Sequence, residues 1–414
     1  MPNDHLVPSF SRGVAKQAIE RLSNGVAVSD PDALRFLNVG QERWHDAMRT
    51  LLGDVRDFDV STVRIVSAYY GAGKSHFLTL VASEALARNF VVAKVDARHV
   101  PLHKFEEVWK GVLRGIETRG DKGEPDGIRG MLDAWCDVSS NRVPEALVAL
   151  DQVRGLDPSF RVALRLYLQA YLDDGDRGVI EQWLLGGPTR PKGVTNKVDK
   201  STAHVMLRSL TKFIKHAGYS GLVLVFDELE DISKQTAKIR RNSYEAVRQF
   251  VDSASEPESL LFLGACIPNM LSDTERGFAS YPALQQRLGL VRLVEASTIQ
   301  DFHGTVVNLD GSPLSSDDLT SLGLKLRAVH SLAWDWDASA HISNTFIAHV
   351  VTRVLENNFG VAAVRLLVQF FMNTLELSRQ NPELDVARTI DADLNKAAAH
   401  LIREKESMVA TPWE

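Results

Sequence analysis

Cysteine is almost missing from this chain: 414 residues contain two, Cys136 and Cys266, far apart in sequence. That excludes a disulfide framework and a cysteine-based zinc site, and a reducing compartment is expected. The twelve histidines show no HExxH and no paired spacing, so no zinc is expected. No apolar run reaches the roughly 18 residues a membrane helix needs. The opening MPNDHLVPSFSRG lacks the apolar core of a signal peptide. A soluble, cytoplasmic protein without a membrane partner is the expectation. Charge of one sign is also lacking. Lys and Arg number 47 against 53 Asp and Glu, a net −6. Such a balance does not mark a nucleic-acid binder, and only a local basic patch stays open. There is no internal repeat and no low-complexity tract. What is present is 44% hydrophobic and 24% charged, enough for one large or two medium globular domains.

Periodicity organises the chain. Residues 14–53 read as helices, with AKQAIERL and ERWHDAMRTLL at a spacing near 3.6 and a turn-rich connection between them. Val63–Ala68 is the first clear strand, YYGAGKS follows, then a helical run and a second strand, Phe90–Ala97. Strand, loop, helix, strand is a βαβ unit with parallel pairing. Residues 102–218 are helical in pattern and read as an insertion. Leu222–Glu228, Leu260–Ile267 and Leu290–Glu295 are further strands, with a helix at about Ser243–Ala254. Five short apolar strands separated by helices predict an α/β fold, a parallel sheet covered on both faces. From about 298 the pattern is helical to the end. The domain reading is therefore a helical segment over 1–55, a nucleotide-binding domain over 56–297 with its insertion, and a helical C-terminal domain over 298–414.

The chemistry rests on Ala68-Tyr69-Tyr70-Gly71-Ala72-Gly73-Lys74-Ser75, a phosphate loop in relaxed form with Ala68 where a glycine usually stands. Successive backbone N–H groups must turn inward around an anion, and Gly71 and Gly73 permit the angles, with Ala72 between them. A helix opening at Lys74 presents its positive end to the phosphates. Lys74 is expected to reach the β and γ phosphates of ATP, Ser75 to ligate Mg²⁺, and His76 to flank the nucleotide. A glycine turn in a core is the bland alternative. Asp227 and Glu228 end an apolar strand, where open α/β sheets bind ligands. Asp227 would hold Mg²⁺ and Glu228 would polarise the attacking water. Otherwise they are two solvated acids opening a turn.

Three more residues have two readings each. Asn269, after the next strand, is a γ-phosphate sensor or an asparagine in a turn after Pro268. Arg287 is an arginine finger reaching a neighbouring subunit's ATP or a surface arginine. Arg365 is a second nucleotide sensor on a C-terminal helix or a helix-edge ion pair. Lys234, Lys238, Arg240 and Arg241 form a basic cluster that touches nucleic-acid phosphates or is a solvated helix face. Trp334 and Trp336 are core or exposed.

SAYYGAGKSHFL, VVAKVDA, LVLVFDELEDI with RRNSYEAVRQFVD, and GACIPNML with YPALQQRL together resemble the BrxD-type ATP-binding proteins of bacterial BREX phage-defence systems. AIERLSNGVAV and FLNVGQERW are similar to that group as well. The likeness is good over about 14–300 and looser beyond. It is similar too to the AAA+ clade that includes origin-recognition ATPases. The resemblance implies an AAA+-like P-loop ATPase, homo-oligomeric, working beside other defence proteins such as a helicase or a DNA methyltransferase. Ala68 departs from the usual glycine, and no winged-helix pattern is visible at the C-terminus, which leaves direct DNA binding open.

Two functions follow. One is an ATPase that drives or licenses a nucleic-acid machine. The other is a signalling or scaffold switch, whose ATP state controls partner proteins and whose 102–218 helices are the partner surface. A small-molecule kinase and a helicase are disfavoured, since no acceptor pocket and no second motor domain are legible.

Overall fold

The structure is a computed structural model, and it describes residues 7–119, 127–253, 258–290, 301–357 and 362–409. Two compact units are present. One comprises 1–45, 67–80 and 308–414, the other 46–66 and 81–307.

The second unit carries a six-stranded sheet: β1 (Thr62–Ser67), β2 (Val91–Asp96), β3 (Ile116–Glu117), β4 (Leu222–Asp227), β5 (Leu260–Cys266) and β6 (Val306–Asn308), in the order β3-β2-β4-β5-β1-β6. β2 and β4 run parallel with Asp96 opposite Asp227, and β4 and β5 run parallel with Phe226 opposite Gly264. Every residue of β5, and every residue of β4 before Asp227, is buried. That is why these two strands read as unbroken apolar runs: both faces are covered. The fully parallel sheet expected from the sequence is corrected at one edge, where β3 pairs antiparallel with β2. Two residues are too few to give a periodic signal. The edge is marked instead by Lys94, whose ammonium meets Glu117 at 2.9 Å. The strand expected over Leu290–Glu295 lies outside the described residues apart from Leu290.

Seventeen helices follow in chain order among the described residues, of which those needed here are α1 (Arg12–Ser23), α2 (Pro31–Leu37), α3 (Glu42–Phe58), α4 (Lys74–Ala87), α11 (Ala237–Ser253), α12 (Pro268–Ser272), α13 (Pro282–Arg287), α14 (Ser316–Trp334), α15 (Asn344–Glu356), α16 (Ala363–Gln380) and α17 (Ile390–Val409). α2 falls inside the stretch read as a connection. Its signal was there: Asp30 caps the N–H groups of Asp32 and Ala33, and Pro31 stands at the first helical position. α11 begins six residues before the expected Ser243. Its Phe250 lies 4.9 Å from Phe262 of β5, which stacks on Phe226 of β4 at 5.0 Å. Aromatic packing of this kind fixes the strand end that carries Asp227. Between β3 and β4 lies the helical insertion, tied in by the Trp109 indole donating to the Leu184 carbonyl and the Trp183 indole donating to that of Asn196.

In the first unit α1 and α14–α17 share a core that includes Leu326, Val329, Ile347, Phe371, Leu375 and Leu394. α14 opens on a capping box, Ser315 with Asp318. Trp334 and Trp336 are half-buried at the rim of this core. The Arg379 guanidinium lies 4.6 Å from the Trp334 ring centroid, and the Trp336 indole donates to His330 Nδ1 at 3.0 Å. His330 is fully buried, and burial pushes its pKa down to about 4 against the pull of Glu376.

That burial has a consequence for acid stability. Above pH 6.5 the imidazole is neutral folded and unfolded. As pH falls from 6.5 toward 4 the unfolded chain binds a proton that the folded chain refuses, so stability drops by up to about 1.4 kcal/mol per pH unit, then levels off. Urea unfolding at pH 7.5, 6.0 and 5.0 should show a shallower loss in His330→Asn than in the wild type, even if the variant starts less stable. Parallel slopes would remove His330 from this role.

No helix among the described residues is long and apolar enough to cross a membrane.

Candidate functional site

β1 leads into the phosphate loop, and α4 starts at Lys74 as the sequence requires. Gly71 has φ +80° and Gly73 has φ +98°, a region that side-chain-bearing residues rarely enter. At Gly71 space adds to the constraint. A Cβ there would lie 2.7 Å from Cβ and 2.8 Å from Cδ of Arg365. Arg365, in the first turn of α16, thus lays its stem against the loop.

Lys74 is buried. Its ammonium donates to the Ala68 carbonyl at 2.9 Å and lies 4.9 Å from the Tyr70 ring centroid. Ala68 is fully buried at the strand end, where a methyl replaces the usual glycine without exposure. Ser75 is exposed on the first turn of α4. His76, next in line, has its pKa pushed down to about 4 by burial and by the Lys325 charge, so it is neutral at ordinary pH.

One residue that sequence reasoning missed holds the loop's start. The Asp310 carboxylate accepts from the Tyr69 N–H at 2.9 Å. Burial raises its pKa, while the Tyr69 N–H and the Lys74 charge pull it down. Asp310 belongs to no motif, and 241 residues of sequence separation hide such a contact.

The second group belongs to the other unit. β4 ends at Asp227, and Glu228 turns left-handed with φ +59° and ψ +38°. For a glutamate that conformation costs about 1–3 kcal/mol, and such strain gathers at functional sites. Asp227 stabilises it by accepting from the Glu228 N–H at 2.9 Å. A short 3-10 turn follows, anchored by buried Leu229 and Ile232. Across the β2–β4 register, Ala97 N–H donates to the Asp227 carbonyl at 3.0 Å. Two residues from Asp96, Arg98 grips that carboxylate at 2.6 Å. Hydrogen bonding to Asp96 raises the Arg98 pKa, with the Glu228 and Asp227 charges adding to it. Arg98 therefore contributes positive charge to the acid pair's surroundings. The sequence held no signal for it beyond its place after β2.

Asn269 is exposed on α12, just past β5, the neighbour of β4. Arg287, the last residue of α13, is ion-paired with Asp252 of α11 and also donates to the Ala283 carbonyl. A finger role requires it to leave that carboxylate. In the basic cluster Lys234 pairs with Asp231 at 2.6 Å and Arg240 donates to the Gln235 carbonyl, so two of the four cations are engaged locally. Lys74, the two loop glycines, His76 and Arg365 are thus gathered in one unit, and Asp227 and Glu228 with Arg98 in the other.

The residues fit a nucleoside triphosphate. The loop supplies a glycine cradle and a buried lysine. In the same unit the Asn38 and Gln41 side-chain oxygens are buried without a hydrogen-bond partner among the described residues. A family model described as BREX system ATP-binding protein BrxC/D matches residues 11–393. No curated protein matches the chain.

Proposed function

Because the chain belongs to the family of BREX system ATP-binding proteins BrxC/D, an ATP-binding role in BREX phage defence with other proteins of that system as partners, we propose that it hydrolyses ATP with magnesium as an AAA+-like ATPase. The observation that carries this reading is the left-handed Gly71–Gly73 loop opening α4 on a buried Lys74.

Lys74 and the loop N–H groups bind the phosphates, and Arg365 senses them from α16. Ser75 and Asp227 would be the residues to hold Mg²⁺, which would supply positive charge against the phosphate oxygens. Glu228 orients a water and takes its proton, with catalysis by positioning and charge rather than covalent chemistry. Arg98, beside Asp96, adds positive charge to the field around Asp227 and Glu228. Arg287 serves a neighbouring subunit in a homo-oligomer once freed from Asp252.

A DNA-linked cycle is the first reading, and a protein switch is the second. The helical insertion leaves Val138 and Val148 exposed, the residues whose substitution would test it as the partner surface. Phosphate release by the purified protein, with and without double-stranded DNA, separates them. Turnover stimulated by DNA is the expected result. Turnover indifferent to DNA gives the lead to the switch, and no turnover under either condition removes the ATPase assignment.

A further inference from the structure

The segment between α2 and α3 carries two side chains the phosphate chemistry does not use. Asn38 Oδ1 and Gln41 Oε1 are both buried, and neither has a hydrogen-bond partner among the described residues. A buried acceptor left without a donor is destabilising, so each calls for one. The segment cannot cheaply turn them toward water, because it is pinned. The Lys325 ammonium donates to the Asn38 backbone carbonyl at 2.7 Å and lies 5.8 Å from the Phe36 ring centroid. Glu42 accepts from the Gly40 N–H at 3.2 Å.

The segment also reaches the phosphate loop. The Gln41 amide nitrogen lies 3.7 Å from where a Cβ on Gly73 would stand. Anything held by the loop therefore passes close to Gln41.

The chemistry of the ligand then decides what the amides are for. An ionised triphosphate offers only acceptors, so it cannot satisfy two carbonyl oxygens. The donors of a nucleoside triphosphate are the exocyclic amine of the base and the ribose hydroxyls. An amide matches adenine well, because its oxygen accepts from the 6-amino group while its N–H donates to a ring nitrogen. We infer that Asn38 and Gln41 form the nucleoside-reading end of the site, accepting from the donors of the bound nucleoside, the adenine 6-amino group first. This rests on the ATP-binding reading above and extends it to the residues that select the nucleotide.

Binding, not turnover, tests it: calorimetric titration of the full chain with ATP, with ITP, in which the 6-amino group is replaced by oxygen, and with 2′-deoxy-ATP. The wild type should bind ITP about 10-fold or more weakly than ATP, the effect of leaving a buried acceptor unpaired. Gln41→Ala and Asn38→Ala should lose affinity for ATP but not for ITP, so the preference shrinks toward unity. Gln41→Met, close in size and without an acceptor, repeats the test should the alanine variants fail to fold. If 2′-deoxy-ATP is the ligand discriminated against, and the variants abolish that preference, the acceptors read the sugar. Equal affinity of the wild type for all three nucleotides overturns the inference while leaving ATP binding intact, as does an equal loss for all three in the variants. A wild type that binds none of them overturns the ATP-binding reading itself.

Discussion

Glu228→Gln is expected to keep ATP affinity within a few-fold of the wild type while lowering turnover by about 10²–10⁴, the usual span for removing a general base. The substitution keeps size and shape nearly the same while removing the negative charge and the ability to take a proton. Backbone strain at Glu228 points to the same role without any motif. Glu228 stands in a left-handed conformation that Asp227 stabilises from its own side chain. A glutamate with no task there would be replaceable by glycine or asparagine at a gain in stability. Two assays read the outcome. Nucleotide binding should persist, and single-turnover phosphate release should fall to background. Near-normal release would strip Glu228 of its role and leave it as a strained turn residue.

Lys74→Ala is expected to lower ATP affinity about 100-fold or more, past detection in ordinary titrations. Charge-assisted hydrogen bonds are worth about 1.5–3 kcal/mol each, and the ammonium would serve two phosphates. It also leaves the buried Ala68 carbonyl without the donor it has now. A modest fall in thermal stability should therefore accompany the loss. The stability change does not confound the test, because unliganded protein can be checked for its fold by circular dichroism before titration. Retained affinity in a folded variant would overturn the assignment of the loop. The two substitutions also separate binding from chemistry. Lys74→Ala should fail at the first step and Glu228→Gln at the second, so a variant pair that behaves identically would mean that one of the two roles is misassigned.

Much of this was legible in the amino-acid sequence, and for stated reasons. β4 and β5 are legible within a residue because strands buried on both faces leave unbroken apolar runs, and β1 and β2 are legible because short β-branched runs flank the glycine loop and its helix. The phosphate loop was found because only glycine enters its angles freely, and the acid pair because it interrupts an apolar strand. Local chemistry of this kind is written in neighbouring residues. α2 was legible too in Asp30-Pro31, though the turn-rich stretch around it masked the signal.

Contacts between distant residues were not legible. Asp310 on the Tyr69 N–H, the Arg365 stem on Gly71 and the Gln41 amide beside Gly73 join segments separated by long stretches of chain. No periodicity or motif encodes such a meeting. Arg98 became part of the acid pair's surroundings only through the β2–β4 register, and exposed Arg287 is held in an ion pair with Asp252 that no local pattern announces. Neighbouring residues alone specify an α/β nucleotide-binding chain with a phosphate loop and a strand-end acid pair, because backbone angles and strand burial restrict which residues can stand there. Tertiary structure alone decided that residues 1–45, the loop and the C-terminal helices form one unit, because that depends on which apolar faces bury one another.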